Sequence, residues 1–195
     1  GRRLRPAVDV VLDSSILAWS RPAGGGTGPG RLFLGPEYFP FDEDALVETP
    51  PRRDGFRNVL VTLGGSDPAG LTERIARALA GEAWPGAWIR VVLGPGYDDR
   101  RSVRRAVERA PSPIEVLDAP PSLVPFLQGC DAAVCAGGRT LYELDHLGKN
   151  ILAVASNERE AGEIEVFLAA GRIHSGLTAW REEAFVAAFR ELLAA

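Results

Sequence analysis

A chain of 195 residues suits one large domain, or one domain plus part of another, and buries roughly 70% of its unfolded surface on folding. Its 46% hydrophobic and 25% charged residues are ordinary for a globular protein, and a net charge of −4 leaves no basic footprint for nucleic acid. No apolar run approaches membrane-span length and no signal peptide opens the chain, so a cytoplasmic protein with no membrane partner is expected.

The chain begins with Gly and contains no Met, which suggests a piece of a longer product. Val8 to Leu12 reads as a short apolar strand, and Arg31-Leu32-Phe33-Leu34 as another. Between them Ser20 to Gly30 is rich in Gly and Pro and reads as a loop. The stretch from Asp42 to Gly55 is acidic, then Pro-rich, then basic, and looks like a linker. Residues 1–56 are therefore expected to be the tail of a preceding domain plus a linker, and residues 57–195 a domain of their own.

From Asn58 the pattern is regular. Val59 to Leu63 is a buried strand ending in Gly64-Gly65-Ser66-Asp67-Pro68, where Asp67 is placed to cap a helix with Pro68 at its first position. That helix carries Leu71, Ile75, Ala78 and Leu79 on one face. Next come strand Ile89–Leu93, helix Asp98–Ala110, strand Ile114–Leu117 and a short helix Ser122–Gln128. Strand Ala132–Cys135, helix Thr140–Leu147, strand Ile151–Ala155 and helix Glu158–Ala170 follow. A short strand near Arg172–His174 and a last helix, capped by Thr178 and burying Phe185, Phe189 and Leu192, complete the order. Strands alternating with helices through short loops predict an α/β, Rossmann-like parallel sheet with helices on both faces. Ligands of such sheets bind beyond the carboxyl ends of the strands, where both Gly64-Gly65 and Gly137-Gly138 fall.

The second turn is the more informative. Cys135-Ala136-Gly137-Gly138-Arg139-Thr140 takes a strand through two glycines into a helix, and so brings backbone N–H groups at the positive end of a helix dipole to one point, which suits a phosphate. Glu143 stands one turn further in, where it either accepts hydrogen bonds from a ribose diol or merely complements the dipole. Taken alone, the glycines equally suit a tight turn and nothing more. Ser66 is no nucleophile elbow, because Pro68 occupies the position of the following Gly, and Gly64 to Thr72 lacks the Lys of a P-loop. Gly94-Pro95-Gly96 lacks the third Gly and later acid of a dinucleotide fingerprint. The arginines at 100, 101, 104 and 105 read as a solvated helix face. Cys130 and Cys135 read as reduced core residues, and with only His146 and His174 beside them they make no zinc pattern. Neither a metal nor a cofactor is expected.

Three segments together say more than any one. Leu34-Gly35-Pro36-Glu37-Tyr38, Leu60 to Pro68, and Ala136 to Leu144 come in an order and spacing that resembles the UDP-sugar hydrolases of the pseudaminic-acid pathway and their relatives in spore-coat polysaccharide synthesis. More distantly they resemble the glycosyltransferases that include the lipid-II-forming N-acetylglucosaminyltransferase. The resemblance runs from about Leu32 to the end of the chain. It implies the C-terminal half of a GT-B architecture, binding UDP or a UDP-sugar opposite an N-terminal domain of the same protein.

Residue by residue, the resemblance assigns Ala136, Gly137, Gly138, Arg139 and Thr140 to the diphosphate and Glu143 to the ribose. It sets Gly64, Gly65, Ser66 and Asp67 near the phosphates or the sugar, the loop around Asp118-Ala119-Pro120 against the base, and Asn157 and Arg159 by the sugar. Arg139 replaces the small Ser or Thr of the family, Arg159 replaces a Gln, and Pro120 and Pro121 cannot donate backbone hydrogen bonds. The family's general base is a His of the N-terminal domain, and neither His of this chain matches its motif. The chain alone is therefore expected to bind nucleotide without catalysing turnover. Three alternatives remain: the donor-binding half of a glycosyltransferase, a degenerate, non-catalytic sugar-nucleotide-binding module, or an interaction domain that keeps the fold and uses the glycine turns for nothing.

Overall fold

The computed structural model describes residues 10–20, 31–41, 55 and 57–195, in two compact units, Gly1–Phe41 and Asp42–Ala195. The loop read at Ser20 to Gly30 and the linker read at Asp42 to Gly55 lie almost wholly outside the described residues.

In the first unit β1 (Val10–Asp13) and β2 (Arg31–Leu34) pair in parallel, Val10 opposite Arg31 and Asp13 opposite Leu34. A 3₁₀ turn, Pro36–Tyr38, follows β2 and sets Tyr38 edge-on to Phe33, with ring centroids 5.2 Å apart. Val10, Val11 and Leu12 stay exposed, and two strands alone are too few to bury an apolar face.

The second unit holds a sheet of six parallel strands: β3 (Arg57–Thr62), β4 (Ala87–Leu93), β5 (Ile114–Asp118), β6 (Ala132–Cys135), β7 (Asn150–Val154) and β8 (Ser175–Leu177). Their spatial order is β5-β4-β3-β6-β7-β8, so chain order reverses between β3 and β6, which lie side by side with Thr62 opposite Cys135. The central strands read as unbroken apolar runs because both faces are covered. Helices α1 (Leu71–Ala80), α2 (Arg100–Val107) and α6 (Glu182–Ala194) close one face over Val59, Val61, Val91, Val134 and Leu152. Helices α3 (Val124–Gly129), α4 (Arg139–His146) and α5 (Glu158–Ala169) cover the other. Trp84 anchors the first layer: its ring meets Phe189 edge-on at 4.8 Å and its indole N–H donates to Leu79 O at 2.8 Å.

Several boundaries differ from the sequence reading, each for a local reason. Helix α1 begins at Leu71, not Pro68, because Asp67 and Gly70 both take left-handed backbone angles (φ 41° and 63°) that end the turn first. The Asp67 carboxylate still serves the helix start, accepting the Thr72 N–H at 2.6 Å. Thr178 does not cap α6. That helix starts at Glu182 after Arg181, and Trp180 lies on Phe185 with centroids 5.3 Å apart, a hydrophobic staple that fixes the entry of the chain in place of a hydroxyl cap. The last strand comes at Ser175–Leu177, beyond Arg172–His174, because Arg172 is held in an ion pair with Asp145 (Nε–Oδ2 2.9 Å). Gly176 of that strand passes so close under α5 that a Cβ there would sit 2.4 Å from Ile164 Cγ2. Cys130 and Cys135 are free and buried, and burial pushes the Cys130 thiol up to about 11. No described helix is long and apolar enough to cross a membrane.

Candidate functional site

A cleft of about 600 Å³ opens at the carboxyl ends of the strands, across the point where strand order reverses. Three turns build its floor. The first follows β3, where Gly64 (φ 88°) and Asp67 take backbone angles that side chains rarely adopt, and Asp can. Gly94 presses against it so tightly that a Cβ would lie 2.3 Å from Gly65 O, and the Gly96 N–H donates to the same oxygen at 2.8 Å. Asp67 is buried, and its Oδ1 has no hydrogen-bond partner among the described residues.

The second turn follows β6. Gly138 is the N-cap of α4 and makes no side-chain cap, so the first turn of the helix, at Arg139 and Thr140, stands at the cleft. Gly137 is turned from the cleft toward α5: a Cβ there would come within 2.8 Å of Glu160 Cβ and 2.9 Å of Glu160 O. Glu143 faces the cleft at 15% side-chain exposure, beyond the first turn of α4, and its Oε1 accepts from Arg139 Nε at 2.8 Å. Arg139 is itself half-exposed along the cleft wall, with its guanidinium on the Glu143 carboxylate.

The third turn joins β7 to α5. Asn157 caps α5, its Oδ1 accepting the Glu160 N–H at 3.0 Å. Glu160 in turn reaches back, its Oε2 accepting from Ser156 N (2.8 Å) and Ser156 Oγ (2.7 Å). The arrangement is a variant capping box and pins a carboxylate inside the cleft.

Behind the opposite end of the cleft, Asp118 receives Arg100 Nε at 2.5 Å and Arg104 at 2.9 Å, and the hydrogen bond from Arg100 holds its carboxyl below the usual range. Arg100 also donates to Tyr97 O, Gly94 O and Pro95 O, so these arginines tie two loops together and do not simply form a solvated face. Ala119 (φ 42°) and Pro120 line the cleft here.

Gly64, Gly65, Ser66, Asp67, Ala136, Gly138, Arg139, Thr140, Glu143 and Asn157 thus share one cleft, and Gly137 and Arg159 do not line it. Arg159 projects outward and pairs with Glu163 at 3.2 Å, a buried carboxylate that also accepts from Tyr142 OH at 2.9 Å. Helical rotation of one residue explains the shift: with Asn157 at the cap, position 160 turns inward and 159 turns out. Sequence reading passed over Ser156 and Glu160, although the spacing Asn157-x-x-Glu160 carries the signature of a capping box. Neither His146 nor His174 lines the cleft. Among the described residues no group of three or more His, Cys, Asp or Glu side chains could hold a metal ion.

No family model matches the chain. It is 28% identical over 146 residues to the spore coat polysaccharide biosynthesis protein SpsG of Bacillus subtilis (strain 168), covering 72% of this chain and 42% of that protein. An uncharacterized protein of Methanocaldococcus jannaschii, MJ1062, is 24% identical over 133 residues, covering 67% of this chain and 27% of its own length. The chain thus spans less than half of each curated relative. Among solved structures, the spinosyn rhamnosyltransferase SpnG complexed with thymidine diphosphate superposes with a TM-score of 0.65 at 18% identity, over 97% of this chain and 50% of that one. MurG of Acinetobacter baumannii superposes at 0.62 and 14% identity, over 94% and 51%. These likenesses extend to spore-coat polysaccharide synthesis and to glycosyltransferase structures, and do not reach UDP-sugar hydrolysis. The fold is the Rossmann-like α/β arrangement of GT-B glycosyltransferases.

Proposed function

We propose that this chain is the nucleotide-sugar-binding half of a GT-B protein of polysaccharide biosynthesis, and that it holds UDP or a UDP-sugar with the diphosphate at the start of α4. The observation that carries the reading is the Gly138–Thr140 helix start opening into a cleft at the strand-order reversal, with Glu143 facing the same space one turn on. N–H groups and the helix dipole favour a diphosphate there. They also stabilise it as a leaving group, because charge on the departing phosphate grows in the transition state. Arg139 lies beside them with a charge to offer.

In the whole protein this half acts on a UDP-linked amino-deoxy sugar, either as a hydrolase or as a glycosyltransferase donor domain. General-base help, worth about 10²–10⁴-fold, comes in this account from the N-terminal domain. The glycosyltransferase alternative is favoured equally by the structural likeness to SpnG and MurG. A degenerate module is the reading favoured by Arg159, which stands where the resemblance implies a sugar-contacting Gln and lies outside the cleft.

Isothermal titration tests the proposal. UDP and dTDP are expected to bind in the micromolar range, with CMP, which lacks the second phosphate, much weaker. Binding of CMP or NAD without binding of UDP or dTDP would contradict it.

A further inference from the structure

The two ends of the cleft differ in kind. At the β7 end the lining side chains are Ser156, Asn157 and Glu160, all polar. At the β4–β5 end the residues are Val92, Leu93, Pro95, Ala119, Pro120 and Leu123, all apolar; Val92 and Leu93 are buried, so the open surface comes from Pro95, Ala119, Pro120 and Leu123. The main-chain donors of this apolar end are largely committed. Ala119 N–H donates to Leu93 O at 2.9 Å, Gly96 N–H to Gly65 O at 2.8 Å and Tyr97 N–H to Gly94 O at 3.1 Å. Pro95, Pro120 and Pro121 have no N–H at all. The charged groups behind the wall, Arg100, Arg104 and Asp118, are bound to one another and to the loop carbonyls.

From this wall we propose that the cleft accepts nucleoside diphosphates with little regard to the base, which packs by apolar contact against Ala119, Pro120 and Leu123. The inference rests on the nucleoside-diphosphate reading above and sets its substrate class. Strong discrimination arises when the wrong ligand leaves a buried polar group of the site unpaired. An apolar wall has few such groups to strand, so exchanging one base for another changes only contact area, while the base's polar edge stays toward water. The polar end, with Glu160 pinned by Ser156, is left for whatever the distal phosphate carries.

The test is isothermal titration of the full chain with UDP, dTDP, CDP, ADP and GDP. Dissociation constants within about tenfold of one another are expected, against the 10⁴–10⁵-fold of sites built to pair with a polar group. One base favoured over the rest by about a hundredfold or more would overturn the inference and leave diphosphate binding intact. If none of the five binds, the nucleotide reading itself fails. Leu123→Ala is expected to weaken all five by a similar factor, and Leu123→Asn, which adds a donor and an acceptor to the wall, to spread their affinities apart. A Leu123→Ala chain of unchanged melting temperature and unchanged affinity for all five would show that the base lies elsewhere, and would also overturn the inference.

Discussion

Arg139 and Glu143 meet across one turn of α4, Nε to Oε1 at 2.8 Å, where both line the cleft. An i,i+4 pair on a helix, here with Arg139 half-exposed and Glu143 largely covered, adds only about 0.3–0.5 kcal/mol, so its placement matters more for binding than for stability. Glu143→Ala is expected to weaken UDP binding at least tenfold, about 1.4 kcal/mol, through loss of the ribose acceptor. Arg139→Ala is expected to weaken it by a smaller factor and to steepen nothing in the melting curve. Calorimetry beside thermal melts checks both; equal affinity in Glu143→Ala would remove the carboxylate from the site.

The adjacent glycines separate structure from binding. A Cβ on Gly137 would meet the Glu160 backbone and Cβ within 3 Å, whereas one on Gly138 meets nothing within 4 Å and enters the cleft. Gly137→Ala should cost about 1–3 kcal/mol by forcing α4 and α5 apart. Gly138→Ala, at the N-cap, should cost only about 0.5–1 kcal/mol and lower UDP affinity. Urea denaturation and titration on the two variants give opposite patterns if this account holds.

Glu163 is buried between α4 and α5, with the Tyr142 hydroxyl and the Arg159 guanidinium as partners. Tyr142→Phe removes the phenol and keeps the ring, which stays edge-on to Phe167. A loss of about 1–3 kcal/mol in urea denaturation is expected, because a buried carboxylate is left short of a donor. No loss would mean that Arg159 alone satisfies it.

Asp118 sets a pH dependence. Arg100, then Arg104, lowers its carboxyl in the folded chain. A lowered folded value means stability present above the unfolded pKa, about 3.9, and lost as pH falls through the folded value. Melting temperature followed from neutral pH into acid should therefore fall less steeply in Asp118→Asn than in the parent, starting from a slightly lower value at neutral pH. Parallel curves would contradict the assignment.

Features that depend on neighbours in sequence were legible in it. The alternation of apolar runs with amphipathic helices gave the parallel sheet, and the Gly-Gly strand-to-helix turn marked one wall of the cleft. Features that depend on helix phase or on long-range pairing were not. Whether Arg159 or Glu160 faces the cleft turns on which residue caps α5, and one position reverses the answer. The Arg100–Asp118 clamp joins residues far apart in the chain, so the helix face that carries Arg100 read only as solvated. Asp67 ends its turn in a left-handed conformation, which periodicity does not report.

The central claim is that a diphosphate sits on the first turn of α4, and amide NMR reports on that turn directly. In a ¹H–¹⁵N titration with UDP, the amides of Gly138, Arg139 and Thr140 should show the largest shifts, saturating together with Glu143. If UDP binds while those amides stay still and others move, the diphosphate is docked elsewhere and the account is wrong.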